Sequence, residues 1–161
     1  MKRNLIIYLV ALLVVGIIGV GIYANSDGKI FGRATTDSIT LIDAATSTTT
    51  GNAFLVKDLR NVVCSVDTAN SANLTIKFAG SISDTAPDPE VAQSVSNQWD
   101  YVLAVDLENA AALDGDTGLA LTGTDDNRQL EIDTNLLHWV IPMITSYTAG
   151  TSTVSCVGGG E

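Results

Sequence analysis

Two segments, Asn61-Val62-Val63-Cys64-Ser65-Val66 and Ser152-Thr153-Val154-Ser155-Cys156-Val157, decide how this chain folds. An extended chain turns successive side chains to opposite faces. Val62, Cys64 and Val66 therefore share one face, and Val154 shares its face with Cys156. Both segments are rich in β-branched residues, which suit a half-buried pleated surface. Neither shows the three-to-four spacing of apolar residues that an amphipathic helix needs.

Working outward, runs of the same kind occur at Ser38–Ile42, Ala53–Lys57, Leu74–Ala79, Trp99–Leu107, Gln129–Ile132 and Leu136–Thr145. The gaps hold turn chemistry: Ser/Thr-rich Thr46–Gly51, Asp84–Pro89 with two prolines, Asp114–Gly118 (DGDTG) and Gly123–Asn127 (GTDDN). Gly, Asp and Asn accept turn dihedrals, and proline cannot donate to a ladder. Val91–Gln98 and Glu108–Leu113 are each expected to form a short helical turn. About eight strands in roughly 120 residues predict an all-β fold, an antiparallel β-sandwich of jelly-roll-like type over residues 38–161.

The N-terminus is different. Leu5 to Tyr23 carries no charge and consists of Leu, Ile, Val, Ala and Gly with two tyrosines. As a helix it spans about 28 Å, close to the ~30 Å hydrocarbon thickness of a bilayer. Lys2 and Arg3 precede it, which keeps the N-terminus in the cytoplasm and sends the remainder out. Residues 1–24 are thus expected to be one transmembrane or signal helix, either a cleaved signal peptide or an uncleaved signal anchor. Residues 25–37 form a polar linker, available as a strand for donation to a neighbouring subunit.

Charge narrows the partners. The chain has 18 acidic and 8 basic residues; without Lys2 and Arg3 the exported part stands at 18 against 6, a net charge of −12. Phosphate backbones demand basic patches, so nucleic acid is excluded as a partner. The expected partners are the membrane, through Leu5–Tyr23 if it is retained, further copies of the chain, and a glycan or surface protein. The expected location is extracellular or on the cell surface.

Candidate chemistry is sparse. His138 is the single histidine, flanked by apolar residues, and no Ser-His-Asp order, HExxH or GxSxG is present. No catalytic residue is expected, and the chain is taken as non-enzymatic. Cys64 and Cys156 both point to the apolar face. Export permits a disulfide between them, closing a loop of about 90 residues for about 4 kcal/mol on the chain-entropy model. Two separate buried thiols are the alternative. Asp114, Asp116, Asp125 and Asp126 offer oxygen ligands from two loops, a candidate calcium site. The same aspartates also serve as ordinary turn residues, and no other cofactor is implied. Asn73-Leu74-Thr75 matches a glycosylation sequon. Trp99, Trp139, Tyr101 and Phe78 are expected in the core, with a surface aromatic patch for carbohydrate as the alternative.

Three segments carry a resemblance. They are Ala72–Lys77 leading to Ser83–Asp88, Ser96-Asn97-Gln98-Trp99-Asp100-Tyr101-Val102, and Asp114–Gly118 with Thr124-Asp125-Asp126-Asn127-Arg128. Together they resemble small β-sandwich proteins encoded in tailed-phage and related bacterial genomes, over about two-thirds of the chain. That resemblance implies a virion or surface structural component and brings no catalytic residues. Leu5–Tyr23 departs from it, because a virion protein assembled in the cytoplasm needs no export signal. The combined expectation is an exported structural or interaction subunit of a surface layer, filament or adhesive coat. A virion decoration or membrane protein and a calcium-dependent glycan-binding module are the alternatives.

Overall fold

A computed structural model describes residues 36–160. The expected helix Leu5–Tyr23 and the linker up to residue 35 lie outside the described residues. Among those described there is no helix, and none that is long and apolar enough to cross a membrane.

Two strands of 21 residues each, β4 (Asn61–Ser81) and β10 (Trp139–Gly159), form the axis. They pair antiparallel from Trp139 opposite Ser81 to Gly159 opposite Asn61. Along the other side of β10 run β1 (Ile39–Ala45), β2 (Thr49–Thr50) and β3 (Phe54–Leu55) in succession. The other side of β4 receives β5 (Asp100–Tyr101), β8 (Leu119–Thr124) and β9 (Asn127–Asp133). Finally β6 (Ala104–Asp106) pairs with β9 and carries β7 (Ala111–Leu113) at the margin. The result is one ten-stranded sheet.

The lanes of this sheet bend at the same level. In β4 the bend falls at Asn70 and Ser71, with φ of 61° and 54°. Opposite it, β10 shifts register between Tyr147 and Thr151, and Gly150 has φ 91°. On the β4 side, the Asp125-Asp126 turn separates β8 from β9 at that level: Thr124 pairs with Ala72 and Asn127 with Asp67. On the β10 side, β1 ends with Ala45 opposite Ser152. Asn tolerates left-handed backbone better than most residues because its short polar side chain bonds locally.

The bend creates two arms whose inner faces meet. Even-numbered residues of β4 point inward on both sides of it: Val62, Cys64 and Val66, then Leu74, Ile76 and Phe78. Val140, Ile144, Val154 and Cys156 do the same on β10, and all join one buried cluster with Leu119, Leu121, Leu130 and Ile132. Each fully buried aliphatic side chain contributes about 1.5–3 kcal/mol. Side-chain and backbone bonds hold the corner. Thr68 and Asp126 exchange backbone hydrogen bonds, Ser71 N donates to Asp125 Oδ1, and Tyr147 Oη donates to Gly150 O at 2.9 Å.

The all-β antiparallel expectation holds, with several corrections. The segments 61–66 and 74–79 are parts of one strand, as are 139–145 and 152–157, because the ladder resumes after each bend; residues 136–138 precede that second strand. Strand β8 covers Leu119–Thr124, where no strand is expected from the sequence. Neither Val91–Gln98 nor Glu108–Leu113 is helical: the first folds back through a Ser94–Asn97 bridge, and the second contains β7. Of the four expected core aromatics only Phe78 enters the main core. Trp99 and Tyr101 pack with Ala79, Ile141 and Met143 in a smaller cluster, and Trp139 is half-buried.

A Cβ on Gly150 would collide with the backbone of Ala72 and Ala69, whereas one on Gly123 (φ 64°) would meet nothing within 4 Å. Gly123→Ala is therefore expected to cost only the left-handed strain, about 1–2 kcal/mol. Gly150→Ala is expected to cost at least about 2 kcal/mol more through overpacking. Urea denaturation of the two variants against the parent measures the difference.

Candidate functional site

Chemistry-bearing side chains concentrate in three places: the bonded cysteines inside the first arm, an arginine ringed by carboxylates, and an aromatic patch on the outer face of the second arm. Cys64 and Cys156 are direct partners across the central strand pair, with Cα atoms 4.1 Å apart and a disulfide joining them. Both sulfurs sit among the buried apolar residues, 92 positions apart in sequence.

Arg128 opens β9. Its guanidinium bonds Asp106 Oδ2 on β6, reaches Asp126 Oδ2 at 3.4 Å, and places Nε 2.8 Å from Glu108 Oε2. The Asp106 side chain is 3% exposed and also accepts hydrogen bonds from Glu108 N and Asn109 Nδ2. Burial lowers the Arg128 pKa, but its hydrogen bond and charge interaction with Asp106, the charge of Glu108 and the hydrogen bond to Asp126 outweigh that effect. The net direction is upward. A cation with a raised folded-state pKa adds stability that is fully present below its unfolded value and lost only as pH rises through the folded one. The contribution is therefore complete across the neutral range.

Three of the four aspartate carboxylates of the candidate calcium site serve other partners, and Asp116 takes part through its backbone alone. Asp114 Oδ1 accepts from Asp116 N and Thr117 N, closing its own turn. Asp125 is tied to Ser71 and Asp126 to Arg128. Among the described residues no group of three or more His, Cys, Asp or Glu side chains is placed to hold a metal ion. The structure thus does not bring Asp114, Asp116, Asp125 and Asp126 together as one ligand set.

His138 is half-buried just before β10. Its Nδ1 lies 3.0 Å from Ser83 O and 3.6 Å from Asp84 Oδ1. A carbonyl only accepts, so the proton of this bond resides on Nδ1. Trp139 Nε1 donates to the same carbonyl at 3.1 Å. The two rings fasten the start of the 82–98 loop.

On the outer face, Trp99 meets Tyr101 edge-on, with centroids 5.4 Å apart and planes at 73°. Lys77 Nζ sits 4.6 Å above the Tyr101 ring and bonds the carbonyl of Asp116. This pins the DGDTG turn to β4. A shallow depression of about 270 Å³ runs beside Trp99, lined by Gly80, Ile82, Gln98 and Leu137. Such a surface suits apolar contact with a polar rim. The roles of Arg128 and Lys77 depend on contacts between distant strands, although a lone arginine directly after Asp125-Asp126-Asn127 is a usable signal in the sequence.

No family model matches the chain, and no curated protein does. Two solved structures are similar. The SPBc2 prophage-derived protein YomS aligns with a TM-score of 0.59 and 19% identity, over 78% of this chain and 93% of that one. The PBSX exported protein XepA aligns with a TM-score of 0.57 and 21% identity over 83% of this chain, which spans 41% of that protein's length. At these identities the likeness is one of fold.

Arg128→Met leaves Asp106 as a buried, uncompensated charge and is expected to destabilise by about 3–5 kcal/mol. Glu108→Gln, at a side chain 60% exposed, is expected to cost less than about 1 kcal/mol. Chemical denaturation at neutral pH gives both values.

Proposed function

We propose that the chain is a non-enzymatic structural or interaction subunit that works outside the cytoplasm, carried there by Leu5–Tyr23. Its folded-over, sandwich-like domain would form part of a surface layer, filament or adhesive coat. The observation that carries this reading is the Cys64–Cys156 disulfide across the central strands. Disulfides persist in oxidising compartments and are rare in the cytosol. The likeness of fold to an exported protein supports the same location.

The surviving chemistry agrees with a scaffold. Arg128 and its carboxylates, His138 with Ser83, and Lys77 with Tyr101 each fasten one segment to another. The acidic surface favours solubility and repels anionic lipid and nucleic acid. A virion component is the second reading, favoured by the likeness of fold to a prophage-derived protein. In that case Leu5–Tyr23 would sit in a viral or host membrane.

Mass spectrometry of native material after alkylation without reductant tests the proposal. The expected result is no alkylation at Cys64 or Cys156, together with recovery in the membrane or extracellular fraction. Two alkylated thiols in a cytosolic chain would overturn it. Replacing both cysteines by alanine is expected to lower stability by about 4 kcal/mol.

A further inference from the structure

The margins of the sheet are unequal. A strand edge presents unpaired N–H and C=O groups, and proteins blunt such edges by shortness, bulges, charge or cover. Here β2, β3 and β5 have two residues each, and β7 has three. Strand β1 is longer, but it carries Asp43, two register shifts and a positive φ at Ala44. Strand β8, Leu119-Ala120-Leu121-Thr122-Gly123-Thr124, has one register shift and a positive φ at Gly123, both confined to its end, and it runs regularly over Leu119 to Thr122. It pairs with β4 alone and contains no charge and no proline. Leu119 and Leu121 face the core, and Ala120 and Thr122 are exposed.

Charge decides what fits there. Asp114 and Asp116 precede β8, and Asp125 and Asp126 follow it. Antiparallel pairing of β8 with β8 of a second copy would bring acidic ends against acidic ends. The described domain is acidic throughout, its cations being Lys57, Arg60, Lys77 and Arg128. Residues 1–35 have the opposite balance: Lys2, Arg3, Lys29 and Arg33 against Asp27. Within them, Lys29-Ile30-Phe31-Gly32-Arg33 brackets two apolar residues with two cations. In an extended strand Lys29, Phe31 and Arg33 share one face and Ile30 takes the other. Added beside β8, Ile30 would continue the line of Leu119 and Leu121. Paired with β8, Phe31 would lie beside the small Ala120 and Thr122, and the two cations would reach the acidic ends.

We propose that β8 receives residues 29–33 of a second copy as an added antiparallel strand, linking subunits head to tail. Because donor and acceptor are different surfaces, each copy gives one strand and takes one, so the contact propagates rather than closing a pair. This rests on the self-association included in the proposed function and names its contact.

The test uses full-length chains in their native membrane, co-produced as two tagged versions, Phe31→Cys and Thr122→Cys. The expected result under mild oxidation is a mixed disulfide-linked dimer. It should fall about tenfold when Lys29→Glu and Arg33→Glu are added, and it should be absent when the acceptor is Val157→Cys. Dimers linked only through Thr122→Cys would mean that β8 meets β8 of a second copy, and would overturn the proposal. So would equal linkage to Val157→Cys, or no linkage at all. An intact Cys64–Cys156 bond in the same sample shows that the variants folded. Failure with that bond intact sinks strand donation alone, whereas free thiols there sink the export reading.

Discussion

A sheet with one apolar face must cover that face, and in this chain the covering layer is the far half of the same strands. β4 and β10 each carry their even-numbered residues inward through a bend, so Val62 and Cys64 on one arm share a core with Leu74 and Ile76 on the other. Everything else answers to that bend. The lanes beside β4 and β10 must turn at the same level, or the ladders would tear and leave backbone groups unpaired in a dry interior. Gly150 permits a close backbone approach, against Ala72, and the Thr68–Asp126 exchange carries the pairing past the turn.

The disulfide is placed where it reinforces this arrangement most directly. Cys64 and Cys156 lie in the first arm, on the two strands that all the others except β6 and β7 border. A covalent link there fixes the register of β4 against β10, on which the inward parity of both depends. A slip of one residue would turn the whole apolar set to solvent. Arg128 does comparable work at the margin. It ties β9 to Asp106 on β6 and to Asp126 in the corner turn, joining the outer strands to the bend by charge rather than by apolar burial.

Much of this was legible in the residues, and the rest was hidden for identifiable reasons. Alternation at Val62, Cys64 and Val66 fixes both strand and inner face, since the side-chain period is two. Ala69-Asn70-Ser71-Ala72 signals a break, and Asn70 and Ser71 do take positive φ, yet the signal cannot say that the ladder resumes beyond them. Leu119 and Leu121 alternate as a strand should, but six residues between Asp/Gly turns resemble one long loop. Period alone also cannot say that a sheet has a second sheltered face. The 82–98 loop bonds Ser81, His138 and Trp139, and Trp99 and Tyr101 join the small cluster on that face. The partnership of Asp106 with Arg128 spans 22 positions and arises only when β6 pairs with β9.

One further consequence comes from the two ends of the described chain. Thr36 N donates to Gly158 O at 3.0 Å, and Gly158 N donates to Thr36 Oγ1 at 2.8 Å, so the backbone enters and leaves at a single spot. A domain with adjoining ends can be spliced into a host polypeptide, or strung in series, without disturbing its interior. The same adjacency makes it a candidate for circular permutation, with new ends opened in the exposed 82–98 loop. Adjoining ends make such a fold portable in principle. A similar fold recurring within a protein of which this chain spans 41% is what such portability would produce.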